Sequence, residues 1–307
     1  MEYAANAIAL PGQSEVVADT PATAIREGAL PENVAIYLAG GYLKGSGASM
    51  PGTTPVADRD SFDGFYIVGG IETRIDDKSA LGFGLSYSSI EGERSLGQSA
   101  KGDLIQGTLY GRYGETLGLS FDAQFSAGVY QSSTHRTGSF AGTAFDLRSR
   151  DNALALSSEV GANYWAGSET LRFGPRIALR ASRIDLTPTA ERGTGPALFF
   201  DEDHIRSAQG RIGLQFDGNA DGFRPFGSAY FVHDFVERPG YFNAGFVGGN
   251  AVRAPFLIAS QDRNWGELGG GFAYKAGKAT FSVAADVTVG RSDIRNSSYR
   301  AGLKLAF

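Results

Sequence analysis

The 307-residue sequence has no cysteine, only three histidines and two methionines. Without thiols there are no disulfide staples, no thiolate nucleophile and no cysteine-based zinc site, and such a chain crosses an oxidising compartment safely. Basic residues are in deficit as well, 28 Lys and Arg against 33 Asp and Glu, for a formal net charge of −5. Nucleic-acid binding draws on phosphate neutralisation and has no evident source in that balance. Also missing is any apolar run near the roughly 18 residues that a membrane-crossing helix needs. The opening Met1-Glu2-Tyr3-Ala4-Ala5-Asn6 has no basic stretch leading into an apolar one. It does not read as a signal peptide, and the expectation is a mature piece of a longer precursor with an added initiator Met1.

What is present is glycine, 43 residues, with 12% aromatics and only 20% charged residues, at a mean hydropathy of −0.16. A near-neutral mean is what a transmembrane β-barrel shows, because lipid-facing and lumen-facing side chains alternate along each strand. The last segment alternates without a break, Tyr299, Ala301, Leu303, Leu305 and Phe307 against Arg300, Gly302, Lys304 and Ala306. Residues 279–289, 171–182 and 119–129 do the same, and period 2 over such lengths is strand rather than helix. Weaker versions recur near residues 81–87, 105–113, 154–164, 212–216 and 268–274. Segments near Val34–Tyr42, Phe62–Ile75 and Phe223–Phe235 bring the number of expected strands to twelve.

The connections alternate short and long. Tight turns are expected at 76–78, 114–116, 167–169, 219–221 and 276–278, and long loops at 44–60, 91–102, 131–152, 184–204 and 236–262. Turns on one rim and loops on the other is the layout of an outer-membrane barrel, with both chain ends of the wall on the turn side. A soluble sandwich or small barrel would turn its apolar face inward. Here the polar faces carry Glu72, Arg112, Asp122, Glu159, Arg172, Arg176, Arg180, Arg211, Glu267, Asp286 and Lys304, which a wide aqueous lumen accommodates and a packed core does not. Tyr113, Tyr164, Phe173, Phe216, Tyr274, Phe281 and Phe307 sit near the short turns, as an interfacial aromatic girdle requires. The predicted fold is an all-β, twelve-stranded antiparallel transmembrane barrel over residues 32–307.

Residues 1–31 lack alternation. Thr20 as N-cap, Pro21 in the first turn and Gly28 as a stop predict a short helix that carries Arg26 and Glu27. The expectation is a linker that threads the pore and offers those two charges to the lumen wall. Catalysis has little support. Asp203-His204 and His233-Asp234 are adjacent strand residues that point to opposite faces, and His135 falls in an expected loop. No Gly-x-Ser-x-Gly elbow, phosphate loop or His-Glu-x-x-His occurs, and no metal cluster or cofactor site is expected.

The stretch Asp262-Arg263-Asn264-Trp265-Gly266-Glu267-Leu268-Gly269-Gly270-Gly271, the hairpin through Gly277 and the ending Ser298 to Phe307 resemble the translocator domain of classical autotransporters, the type V secretion proteins. The resemblance covers essentially the whole chain. It implies an outer-membrane location in a Gram-negative-type bacterium, export of a covalently linked passenger upstream, and a monomeric barrel surrounded by outer-membrane lipid. It also implies that Phe307, with Tyr299 and Leu303 on the same face, is the signal read by the barrel-assembly machinery. Some members of that family cut themselves inside the pore, and no Asn-Asn cleavage pair is present in residues 1–31. A passive porin-like channel and, further off, a lipid or peptide hydrolase built on the barrel are the competing functions.

Overall fold

A computed structural model describes residues 34–47, 60–94, 98–140, 142–168, 170–237, 241–249, 253–257 and 262–306. The expected linker 1–31, with Arg26 and Glu27, and the terminal Phe307 lie outside the described residues. Twelve strands form the wall: β1 (Val34–Gly47), β2 (Asp60–Arg74), β3 (Ser79–Arg94), β4 (Gln98–Gly114), β5 (Gly118–Phe140), β6 (Thr143–Gly167), β7 (Leu171–Leu186), β8 (Asp203–Gly218), β9 (Phe223–Asp234), β10 (Asn264–Ala276), β11 (Ala279–Val289) and β12 (Ile294–Ala306). Each pairs antiparallel with its chain neighbours. β12 pairs with β1 from Ala35↔Ala306 to Gly47↔Ile294, which closes the barrel.

Followed through the pairings once around the wall, the position of Leu38 returns to β1 about 14 residues further on. At about 3.3 Å per residue and 4.8 Å between strands, that stagger tilts twelve strands by about 39° and sets the backbone wall about 24 Å across.

Burial along the strands is inverted relative to a soluble protein. Ile67, Leu85, Leu109, Phe125, Val160, Leu179 and Leu214 point outward and are about half exposed, while the residues between them point inward and are buried. The tyrosines and phenylalanines expected at the girdle, Tyr113, Tyr164, Phe173, Phe216, Tyr274 and Phe281, all face outward next to the short turns. These turns are tight for chemical reasons. Between β8 and β9, Asp221 and Gly222 have φ of 49° and 87° and are flanked by reciprocal Ala220 and Phe223 backbone bonds of 2.8 and 2.9 Å. A two-residue turn with both φ positive matches the twist of its strands, and Asp-Gly is its favoured pair.

The opposite rim departs from expectation in two connections. Residues 91–102 and 131–152, expected as loops, are mostly strand: β3 and β4 extend to Arg94 and Gln98, and β5 and β6 pair out to Phe140↔Thr143. Above the apolar band the outward face no longer meets lipid chains and turns polar, while Leu147, Ser149 and Asp151 stay buried on the inner face, so the backbone ladder continues after the hydropathy alternation has stopped. The β7–β8 and β9–β10 connections also carry structure. Short strands Thr189–Ala190, Leu198–Phe200, Tyr241–Phe246 and Ala254–Leu257 form a separate four-stranded sheet, and Arg192–Thr194 adds to β6.

The inner face is layered. Toward the long-loop rim, Leu43, Phe62, Ile90, Leu104 and Tyr130 on β1–β5 join Ala153, Ala155, Ile184, Leu186, Ile205 and Ile294 in one buried apolar cluster. Tyr230, Val232 and Trp265 form a separate buried cluster on β9 and β10. This apolar collar was not expected from the polar character of the inner faces lower down.

Candidate functional site: the barrel lumen

Below the collar the inner face is mostly polar and then charged, apart from a second buried cluster of Tyr37, Tyr66, Val68 and Tyr110 on β1, β2 and β4. All eleven charges singled out in the sequence lie on the inward side of their strands, and they fall into three groups. The largest centres on Glu159 of β6, which accepts hydrogen bonds from Arg176 (2.7 Å) and Arg180 (2.8 Å) of β7 and from Arg211 (3.4 Å) of β8. Arg176 is fully buried and also donates to both oxygens of Asp122, one at 2.8 Å, while Arg211 donates to Glu267 of β10 at 2.5 Å. Five strands are thus cross-linked by alternating charge, so that each buried ion has opposite partners and its desolvation is offset.

A Cβ at Gly161 would lie 2.5 Å from the Arg176 guanidinium. The glycine lets that planar group lie flat against the wall between its two carboxylates. Arg112, on β4, stands directly opposite Asp122 in the β4–β5 register and so shares its face.

A second group lies at the short-turn mouth. Arg172 and Arg224 both donate to Asp217, at 3.0 and 2.8 Å, and Arg172 also stacks on the Trp165 ring at 4.5 Å and reaches the Thr116 carbonyl in the turn. A cavity of about 20 Å³ beside it is lined by Tyr110, Arg112, Asp122, Asn163, Trp165 and Arg172, among others. That is room for little more than a water molecule. The third group lies across the lumen. Lys304 donates to Glu72 at 2.7 Å, Tyr110 donates to the same carboxylate at 3.3 Å, and Arg300 donates to Asp286 at 3.2 Å.

Several residues of these networks were not singled out from sequence: Asn163, Asp217, Arg224, Trp265 and Arg300. Asp217 and Arg224 flank the β8–β9 turn, where alternation runs for too few residues to assign a face. Asn163 and Trp265 are uncharged members, found only through their bonds: Asn163 donates to Asp122 at 3.0 Å and the Trp265 indole donates to Glu267 at 2.9 Å. Arg300 does follow the alternation of the last strand.

The histidines stand apart from the lumen network. His204 contacts Asp185 across the β7–β8 pair at 2.8 Å, and Arg183 donates to the same oxygen at 2.6 Å. His135 contacts Asp146 at 3.1 Å and His233 contacts Asn264 at 2.8 Å. In both suspected dipeptides the neighbours diverge: Asp234 turns inward to accept from Ser207 at 2.7 Å, and Asp203 bonds the His204 backbone rather than its ring. Among the described residues no group of His, Asp or Glu is placed to hold a metal ion.

On the outer face of β12, Tyr299 is exposed and Leu303 lies on the same side, in register with Phe281 of β11.

The sequence matches the autotransporter beta-domain family over residues 40–303. No curated protein matches it. Among solved structures, the fold is similar to the translocator domain of autotransporter NalP from Neisseria meningitidis, with TM-score 0.70 at 16% identity over 96% of this chain and 98% of that one. It is similar to the transport unit of autotransporter AIDA-I from Escherichia coli, with TM-score 0.56 at 16% identity over 90% and 91%. It is also similar to the toluene transporter TbuX of Ralstonia pickettii, with TM-score 0.58 at 13% identity over 94% of both chains.

Proposed function

This chain belongs to the autotransporter β-domain family, a family of Gram-negative outer-membrane barrels, and from that premise we propose how it works as a translocator. It resides in the outer membrane, has no enzymatic role, and lets a polypeptide joined upstream of β1 pass through its lumen to the cell surface. The observation that carries this reading is the placement of the first strand. β1 enters the wall at Val34 beside Ala306, on the short-turn rim, and the wall is closed by thirteen β1–β12 residue pairs. An upstream segment therefore meets the barrel at the periplasmic rim and reaches the opposite side only through the lumen.

In this proposal residues 1–31 are the linker that occupies that path, with Arg26 and Glu27 facing the lumen charges. Glu72, Arg112, Asp122, Glu159, Arg172, Arg176, Arg180, Arg211, Glu267, Asp286 and Lys304 line it. Such a lining suits an extended chain, whose backbone dipoles find donors and acceptors along the wall. Tyr299, Leu303 and Phe307 present the outward apolar edge of the final strand to the barrel-assembly machinery, and the barrel acts as a monomer in lipid.

A passive channel is the second reading, favoured by the likeness to TbuX, a protein described as a toluene transporter. The two are separated by an epitope placed between a signal peptide and Glu2 and tested with protease on intact cells. Digestion of the epitope from outside is the expected result. A folded barrel whose epitope stays protected in intact cells and is cut only after the outer membrane is opened would leave the channel.

A further inference from the structure

We propose that the outward face of the β5–β6 hairpin, above the apolar band, binds the phosphate of a phosphorylated sugar headgroup carried by an outer-leaflet lipid. This rests on the reading that the long-loop rim faces the cell exterior. The first observation is a row of cations. His135 of β5 stands directly opposite Arg148 of β6, and on its other side Arg148 stands directly opposite Arg192. Arg150 points the same way two residues below Arg148, and all three arginines are exposed. Like charges placed directly opposite one another destabilise a ladder. Among the described residues Asp146 is the one carboxylate in contact with the group, 3.1 Å from His135 and 3.5 Å from Arg148. Three permanent positive charges thus share a single negative one. The backbone holds Arg192 in this place. Its buried neighbour Glu191 accepts from Arg136 at 3.0 and 2.6 Å and from the Leu198 amide at 2.8 Å. On its other side Gly193, with φ of 139°, packs so close to β6 that a Cβ would lie 2.0 Å from the Asp146 carbonyl oxygen.

The second observation is height. Tyr164 of the girdle and Leu154 share the outward, exposed face of β6. Their separation along the tilted strand spans about 26 Å of membrane depth, close to the ~25 Å apolar band of an outer-membrane barrel. Leu154 therefore marks the upper edge of the band, and Arg150 and Arg148 leave the backbone about 10 and 15 Å above it. The headgroup layer of a simple bilayer is only about 5–8 Å deep on each side. A glycerol-linked phosphate lies within that layer, beneath the row, whereas a phosphate borne on a sugar reaches it. Arginine suits this position, because its stem lets the charged end lean toward the membrane and its planar fork matches phosphate oxygens in pairs. A bound phosphate supplies the negative charge that the row lacks.

Native mass spectrometry of the purified full chain in detergent tests this, with the SDS-gel band shift confirming folding of each variant. The probes are a diglucosamine lipid phosphorylated at both ends, its dephosphorylated form, phosphatidylglycerol and inorganic phosphate. The wild-type chain is expected to hold the phosphorylated glycolipid more tightly than the other three. Arg148→Gln with Arg150→Gln and Arg192→Gln is expected to weaken that binding about a hundredfold at low salt, about fivefold for each basic residue near an anionic lipid surface. Arg192→Gln alone gives about a fivefold loss and decides the matter if the triple variant does not fold. Arg74→Gln with Lys275→Gln and Lys278→Gln removes the same charge from the opposite rim and leaves binding unchanged. A triple row variant that loses less than tenfold, or an equal loss from the opposite rim, overturns the site. Equal binding of the dephosphorylated lipid overturns the phosphate assignment, and equal binding of phosphatidylglycerol or inorganic phosphate overturns the sugar headgroup. Surface digestion of the upstream epitope is read separately in cells, so a failed site with normal export leaves the translocator proposal standing.

Discussion

Glu159→Gln is the most informative single change in the lumen, because it keeps the side chain's shape and removes one charge that serves three arginines. The carboxylate is 2% exposed and bonds Arg176, Arg180 and Arg211. Breaking one side of a buried ion pair costs about 3–5 kcal/mol. Two features reduce that here. Arg176 keeps Asp122 and Arg211 keeps Glu267, and the glutamine carbonyl still accepts a hydrogen bond.

The expected loss is therefore about 2–3 kcal/mol, at or below the bottom of that range. At about 2–4 °C per kcal/mol for chains of comparable or somewhat smaller size, the folded band should disappear about 4–12 °C lower in a gel-shift melt run at fixed heating time. Adding Arg180→Gln to the variant should recover part of the loss, with a coupling of about 1–3 kcal/mol between the two positions. An unchanged melting point for Glu159→Gln, or a double variant as unstable as the sum of its parts, would show that lumen water already screens the cluster. The account of an offset desolvation would then be wrong.

Three further outcomes follow from other parts of the structure. Gly222→Ala places a Cβ at a φ of 87° and should cost about 1–2 kcal/mol in urea unfolding of the folded barrel, with no change in charge or lumen lining. At the short-turn rim, the hydrogen bond from Lys78 holds the Glu115 carboxyl below the usual carboxylate range, and that same bond raises the Lys78 ammonium. The lowered carboxylate contributes above its unfolded value and is lost as pH falls through its folded one, while the raised lysine is lost only as pH climbs through its own. The link between the two turns is therefore complete between about pH 5 and 10, and the Glu115 titration midpoint measured by NMR should rise in Lys78→Gln; an unmoved midpoint rejects the link. Removing Phe307 should lower the yield of assembled barrel in cells far more than it lowers the melting point of barrel refolded in detergent, and Phe307→Tyr should restore most of that yield.

How much of this could be read from sequence depended on where water lies. Within the band one face meets lipid and the other the lumen, so Leu119 to Val129 or Leu171 to Ala181 reveal strand, face and function together. Outside the band the signal fails in two ways. In β5 and β6 beyond Gln131, small and polar residues stand on both faces although Ser132, Leu147, Ser149 and Asp151 are buried, and the strand looks like a loop. In the collar, Leu43, Phe62 and Leu104 alternate with charged neighbours just as band residues do, but in the opposite sense. A periodicity read without a membrane boundary cannot tell which sense applies. Of the lumen networks, the charged members in long strands were legible because a charge has one acceptable side. The partners beside turns, Asp217 and Arg224, and neutral members such as Asn163 became visible only when distant strands were brought together.

The seam between β1 and β12 has a further consequence, one of timing. The first strand of the wall is hydrogen-bonded to the last, so contacts separated by some 270 residues must form before any circumference exists. A chain still being synthesised has no β12 to offer, and its ten inner hairpin pairings leave two unpaired edges. Synthesis must therefore be finished, and the chain kept unfolded until then, before an inside can be distinguished from an outside. Whatever polypeptide precedes β1 has waited through the whole of that interval.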